Sequence, residues 1–224
     1  KKYRIDLEKY ISYMNKENIN IITIMDKEYP QKLKQIEDCP MYLYTKGNIE
    51  LLNKRSIAIV GSRNCTSYGK EVAQIMAKQL VSNNIIVVSG LAKGIDTSSH
   101  LGAINYYSST IAVLGCGIDR IYPNENSRLA QNILQKNGLI ISEYVMGTKP
   151  ERLNFPARNR IISGISDGVL VVEATNKSGA LITVDFAIEQ GKDVFAIPGN
   201  INSIFSNGTN QILKEGAKLT NNVM

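Results

Sequence analysis

The chain has 224 residues, 43% of them hydrophobic and 7% aromatic, which suffices for one large domain or one domain with a small extension. Twenty-six Lys and Arg against 20 Asp and Glu leave a formal net charge of +6, a balance that suits an anionic partner. Three widely spaced cysteines, Cys39, Cys65 and Cys116, exclude a disulfide framework or a zinc ribbon and fit a reducing cytoplasm.

The N-terminus, Lys1-Lys2-Tyr3-Arg4-Ile5-Asp6, lacks the apolar centre of a signal peptide. No later run approaches the roughly 18 apolar residues of a membrane span, so no membrane partner is expected. The chain opens on Lys1 and stops at Met224, and a piece of something longer is the expectation. Residues 1–50 read as an annex, either an added edge of a sheet or the tail of a preceding module. In it, Leu7, Tyr10, Ile11 and Met14 mark an amphipathic helix, Ile19 to Met25 a strand, and Tyr29-Pro30 a break.

From residue 51 to 224 the texture changes to one core domain. Six β-branched runs recur: Ile57–Val60, Ile85–Val88, Ile111–Leu114, Leu139–Ile141, Val169–Val172 and Val194–Ile197. Strands apolar on both faces belong in a parallel sheet covered by helices on each side. Between them, Val72, Ala73, Ile75, Met76 and Leu80, and later Leu129, Ile133 and Leu134, have helical spacing. The fold class is therefore α/β: a doubly wound, mostly parallel sheet of extended Rossmann-like type with a small N-terminal annex. In such sheets ligands sit beyond the carboxyl ends of the strands.

The loops at those ends carry the candidate site. Gly61-Ser62-Arg63 follows the first run, where a glycine admits an anion to the backbone, Ser62 donates a hydroxyl and Arg63 holds the charge. Its spacing is neither a P-loop nor a dinucleotide fingerprint. The second run ends in Gly90-Leu91-Ala92-Lys93-Gly94-Ile95-Asp96, with Asp96 placed to cap the next helix. Gly115-Cys116-Gly117 follows the third, Gly147-Thr148-Lys149-Pro150 the fourth, Ser178-Gly179 the fifth and Pro198-Gly199-Asn200 the sixth. Several such loops at one edge, carrying Arg63, Lys93, Lys149, Arg158 and Arg160, point to an anion site.

Between the fourth and fifth runs lies Asn154-Phe155-Pro156-Ala157-Arg158-Asn159-Arg160-Ile161-Ile162-Ser163. A flat ring beside guanidinium groups suits a base stacked next to a phosphate, the chemistry of single-stranded nucleic acid. The same decapeptide also reads as an ordinary helix start, with Phe155 packed and the arginines solvated. Chemistry at this edge is not indicated. The single histidine, His100, falls on an apparent helix, and no triad, dyad or metal cage is evident.

Taken together, these motifs resemble the DprA family, also called Smf, the DNA-processing proteins of bacterial transformation. The resemblance rests on Gly61-Ser62-Arg63, Ser89 to Asp96, Gly115-Cys116-Gly117 with Tyr122-Pro123, Ser142-Glu143, Phe155 to Ser163, Glu173-Ala174 with Ser178 to Thr183, and Pro198-Gly199-Asn200, and it covers roughly residues 20–220. Tyr29-Pro30 and Tyr42 to Asn48 resemble the family's lead-in to the first strand. It implies a Rossmann-like domain that binds single-stranded DNA, forms homodimers, protects incoming DNA and delivers it to RecA, without catalysis, metal or cofactor. Carried over by position, Arg63, Lys149, Arg158 and Asn159 are implied phosphate contacts and Phe155 the stacking residue. Backbone at Gly61, Ser62, Gly90 and Gly94 would assist, with Lys93, Arg160, Ser178 and Gly179 as further candidates. The helical and winged-helix modules that many members add are not evident. The competing class is a nucleotide-acting enzyme of phosphoribohydrolase type. It would need P-G-G-x-G-T-x-x-E, whereas Pro198-Gly199-Asn200 lacks the second glycine and only Glu143 and Glu173 remain as candidate acids.

Overall fold

In the computed structural model, which describes residues 6–223, the helices are α1 (Leu7–Glu17), α2 (Ser67–Ser82), α3 (Ile95–Ala103), α4 (Ser127–Gln135), α5 (Asn154–Gly164), α6 (Ala180–Glu189) and α7 (Asn207–Lys214). The strands are β1 (Ile19–Thr23), β2 (Tyr42–Gly47), β3 (Ser56–Val60), β4 (Ile86–Ser89), β5 (Thr110–Val113), β6 (Leu139–Ser142), β7 (Gly168–Val171), β8 (Asp193–Ala196) and β9 (Lys218–Leu219). All nine strands join one sheet in the order β1-β2-β6-β5-β4-β3-β7-β8-β9. From β6 to β9 every pairing is parallel, while β2 runs antiparallel to both β6 and β1.

The six apolar runs became strands because both of their faces are covered. Along β3 the side chains alternate: Ala58 and Val60 join the cluster containing Ile161 and Ile162 of α5 and Val184 and Ala187 of α6. Ile59 joins the opposite cluster, with Ala73, Met76, Ala77 and Leu80 of α2. Period-two alternation within an all-apolar strand is what divides the helices between two layers.

Local chemistry sets the ends of several elements. Asp6 caps α1 by accepting from the Lys9 amide at 3.2 Å, and Asn18 ends the helix in the left-handed region at φ 53°. Thr66 caps α2, its hydroxyl accepting from the Gly69 amide at 3.0 Å. β1 stops at Thr23 rather than Met25 because the Asp26 carboxylate accepts from both the Thr23 amide (2.7 Å) and its hydroxyl (2.8 Å), turning the chain. The annex extends the sheet, with Thr45 of β2 opposite Ile141 of β6.

Asp96 corrects an expectation. It lies inside the first turn of α3 rather than at its cap, and its buried carboxylate accepts from the amides of Gly90 (3.1 Å) and Ala92 (3.3 Å), folding the loop after β4 back onto the helix.

Candidate nucleic-acid interface

β3 leads through β4 and β5 to β6 on one side of the sheet, and β7 leads to β8 and β9 on the other. The carboxyl ends of β3 and β7 therefore flank the topological switch point, where neighbouring loops diverge and leave a crevice. A cavity of about 820 Å³ opens there. Its walls include Gly61 to Asn64 after β3, Pro150 and Arg152 before α5, Phe155, Pro156, Arg158 and Asn159 on α5, Ser178 to Ala180 entering α6, and Ile204 and Phe205.

At the mouth, Arg63 and Phe155 combine charge with an aromatic face. The exposed Arg63 guanidinium lies 5.1 Å from the centroid of the Phe155 ring, and Tyr122 packs against the same ring at 5.5 Å with a 37° tilt. The cation–π contact holds an otherwise mobile arginine over a flat surface. The loop bearing Arg63 is braced from below. The Ser62 amide donates to the Glu173 carbonyl at 2.7 Å, and the Glu173 carboxylate accepts from the Thr66 amide (2.8 Å) and hydroxyl (2.6 Å). Gly94, at φ +77°, sits so close to the Ser62 and Arg63 carbonyls that a Cβ could not fit, which fixes glycine there.

Of the sequence-derived candidates, Gly61, Ser62, Arg63, Phe155, Arg158, Asn159, Ser178 and Gly179 line the cavity. Gly90 and Gly94 form the support behind it. Asn159 reaches across to the Gly179 carbonyl at 3.3 Å, tying α5 to the start of α6, and the Ser178 hydroxyl accepts from the Ala180 amide at 3.3 Å. Lys93 is outside, paired with Glu125 at 2.8 Å on the surface, and Lys149 is exposed beyond the cavity wall.

Two of the candidate arginines are held by groups of the protein itself. Arg158 is only 3% exposed, and its Nη1 donates to the carbonyls of Gly90 and Val113, at the ends of β4 and β5. It braces the ends of the two strands from beneath the cavity it lines; a Cβ on Gly90 would collide with that guanidinium. Arg160 points elsewhere and is occupied by carboxylates, Glu143 at 2.6 Å and Asp38 at 3.0 Å, which bind α5 to the end of β6 and to the annex. Arg152, Asn64, Tyr122, Ile204 and Phe205 line the cavity without having been expected there. Arg152 was legible as the one basic residue between Lys149 and Phe155; Ile204 and Phe205 carry no charge or glycine signal.

The titratable groups near the cavity are arranged for structure. Burial raises the Asp96 carboxyl above its ordinary value, against the charge of Arg158 and the two loop amides. Burial also lowers His100 to about 3, with the Arg158 charge adding to it, and its Nδ1 lies 2.8 Å from the Thr110 hydroxyl. Cys116 is pushed up to about 11, mainly by burial. Glu143 and Glu173, the candidate acids, are both engaged in the framework. No group of three or more metal-ligating side chains occurs among the described residues.

Residues 20–224 match the family described as DNA recombination-mediator protein A. The chain belongs to that family. DprA of Streptococcus pneumoniae is 47% identical over 198 residues, spanning 88% of this chain and 69% of its own length. The X-ray structure of the pneumococcal DprA superposes with a TM-score of 0.85 at 42% identity, covering 96% of this chain and 78% of that one. DprA from Helicobacter pylori, whose structure is described in terms of a single-stranded DNA binding mode, superposes at 0.81 with 34% identity, covering 89% and 90%. This agrees with the DprA/Smf resemblance of the motifs and with the doubly wound α/β fold, and it favours a recombination mediator over a nucleotide-acting enzyme. Among the described residues no helix is long and apolar enough to cross a membrane.

Proposed function

We propose that this DprA-family chain binds single-stranded DNA in the switch-point cavity, with salt-sensitive affinity that depends little on sequence. The observation that carries the reading is the exposed Arg63 guanidinium held over the Phe155 ring, with Tyr122 beside it. A base can stack on that aromatic pair while its phosphate meets the cation, and stacking accepts any base. Arg152 adds a second exposed charge on the same wall. Asn159, Ser178 and Gly179, which line the same cavity, are proposed as further polar contacts. Gly61, Ser62, Gly90 and Gly94 shape the loops. Lys93 and Lys149, outside the cavity, are proposed only as secondary attraction for the strand.

The family suggests a role in protecting incoming DNA and loading RecA during natural transformation, in the cytoplasm, by a homodimer that lets two cavities engage one strand. The direct test is fluorescence anisotropy of labelled oligo-dT and of the matching duplex across a salt series. Preferential single-strand binding, with log K falling linearly in log salt and a shallower slope for Arg63→Ala, is the expected result. No binding by the folded chain at low salt overturns it. Light scattering reads the dimer, and a RecA filament assay with single-strand-binding protein present reads the loading.

A further inference from the structure

Another part of the cavity wall comes from the loop between β8 and α7, Pro198-Gly199-Asn200-Ile201-Asn202-Ser203-Ile204-Phe205-Ser206. It holds no charged residue, yet displays two large aliphatic side chains: Ile201 is 94% exposed and Ile204 63%. Ile204 and Phe205 line the same cavity as Arg63. The loop is fixed at both ends. Asn210 of α7 brackets Gly199, accepting from its amide at 3.2 Å and donating to its carbonyl at 3.0 Å. The Phe205 carbonyl accepts from the Ala174 amide at 2.9 Å just beyond β7.

Single exposed aliphatic side chains are common, but Ile204 stands on a braced loop and lines the same cavity as a guanidinium and an aromatic ring. The cavity is divided by chemistry: one wall offers guanidinium groups and the other offers only apolar and neutral polar groups. A polynucleotide has the same division between its phosphates and its bases.

We infer that the Pro198–Ser206 loop is the base-contacting wall of the site, with Ile204, and Ile201 beyond it, packing against nucleobases of the strand whose phosphates Arg63 and Arg152 hold. This rests on the proposal that the cavity binds single-stranded DNA. Apolar wedges against unstacked bases are an established way for proteins to hold nucleic acid. A paired base has its faces covered by its neighbours, so this wall also favours single strand over duplex.

The test uses Ile204→Ser and the Ile201→Ser/Ile204→Ser double variant, both at exposed positions, with folding checked by thermal melts. Affinity is measured for oligo-dT and for an equally long strand of abasic spacers, across salt. Ile204→Ser is expected to weaken oligo-dT binding about tenfold, the scale for loss of one partly buried aliphatic side chain, and the double variant to weaken it further. The salt slope should stay at the wild-type value, because no phosphate contact is removed, and the spacer strand should bind wild type and variants equally. Unchanged oligo-dT affinity overturns the inference, as does an equal loss on the spacer strand. If light scattering shows that the variants lose self-association while keeping full oligo-dT affinity, the loop is a protein interface and the inference falls. Absence of wild-type binding would instead remove the single-strand proposal itself, and this inference with it.

Discussion

Replacing Arg158 by methionine tests whether the cation under the cavity is structural. Its guanidinium spans the Gly90 and Val113 carbonyls and opposes the buried charge of Asp96. Methionine fills much of the volume and removes both donors and the charge. Breaking a buried charge arrangement by deleting one partner costs about 3–5 kcal/mol, a large share of the roughly 5–15 kcal/mol that holds a domain together. Urea unfolding at pH 7 should show a midpoint lower by about 1–2 M, given a slope of about 3 kcal/mol per molar, the upper end of the usual range, for a chain of this length. The pH dependence carries the mechanism. Burial already raises the folded-state pKa of Asp96 above its ordinary value of 3.8. An acid raised on folding favours the folded state below its unfolded pKa, and that contribution is lost as pH rises through the folded one. Removing Arg158 raises the folded pKa further, so the deficit should be largest at neutral pH and shrink on acidification; adding Asp96→Asn should recover part of it at pH 7. A deficit under about 1 kcal/mol, or one independent of pH, would refute this account of Arg158.

Phe155→Ala is expected to weaken oligo-dT binding by about 1–3 kcal/mol, the range for loss of one stacking platform, with the salt slope unchanged, whereas Arg63→Ala should lower the slope by about 1; anisotropy reads both. Arg152→Ala should cost more affinity than Lys149→Ala in the same assay, since only Arg152 lines the cavity. Arg160→Ala should lower the urea midpoint, because it strands the Glu143 carboxylate, while the protein still folded keeps its salt slope. His100, held near 3 by burial, should remain neutral in an NMR titration from pH 8 to pH 5. Because its pKa is lowered on folding, the stability it contributes is present above the ordinary value of 6.5 and declines as pH falls toward 3.

The doubly wound core was legible because its strands are apolar on both faces and stand out as continuous runs. β2 was not read as a strand, since Tyr42-Leu43-Tyr44-Thr45-Lys46-Gly47 mixes polar and apolar residues and finds its partners only through distant pairings with β1 and β6. β9, with two residues, offers no pattern at all. The edge where the site lies followed from topology, and Arg63 and Phe155 followed from their types. What the sequence withheld was direction. Arg158 and Arg160 are two positions apart on α5, hence on nearly opposite sides of a helix with 3.6 residues per turn: one turns beneath the strand ends and the other toward Asp38 and Glu143. Charge composition cannot distinguish two such arginines from a phosphate clamp. The neutral wall was silent because isoleucines are ordinarily core residues, and only their exposure sets Ile201 and Ile204 apart.

β3 pairs with β4 soon after it is made, but its other edge waits for β7, with Ile57 opposite Gly168. The part of the cavity wall at Ile204 and Phe205 comes later still. During synthesis, then, the cationic loop after β3 leaves the ribosome long before the groups that complete the cleft. A nascent chain surrounded by ribosomal and messenger RNA carries isolated charges rather than a finished groove. The cavity is complete only once β7 has paired with β3 and the Ile204–Phe205 segment has closed its wall.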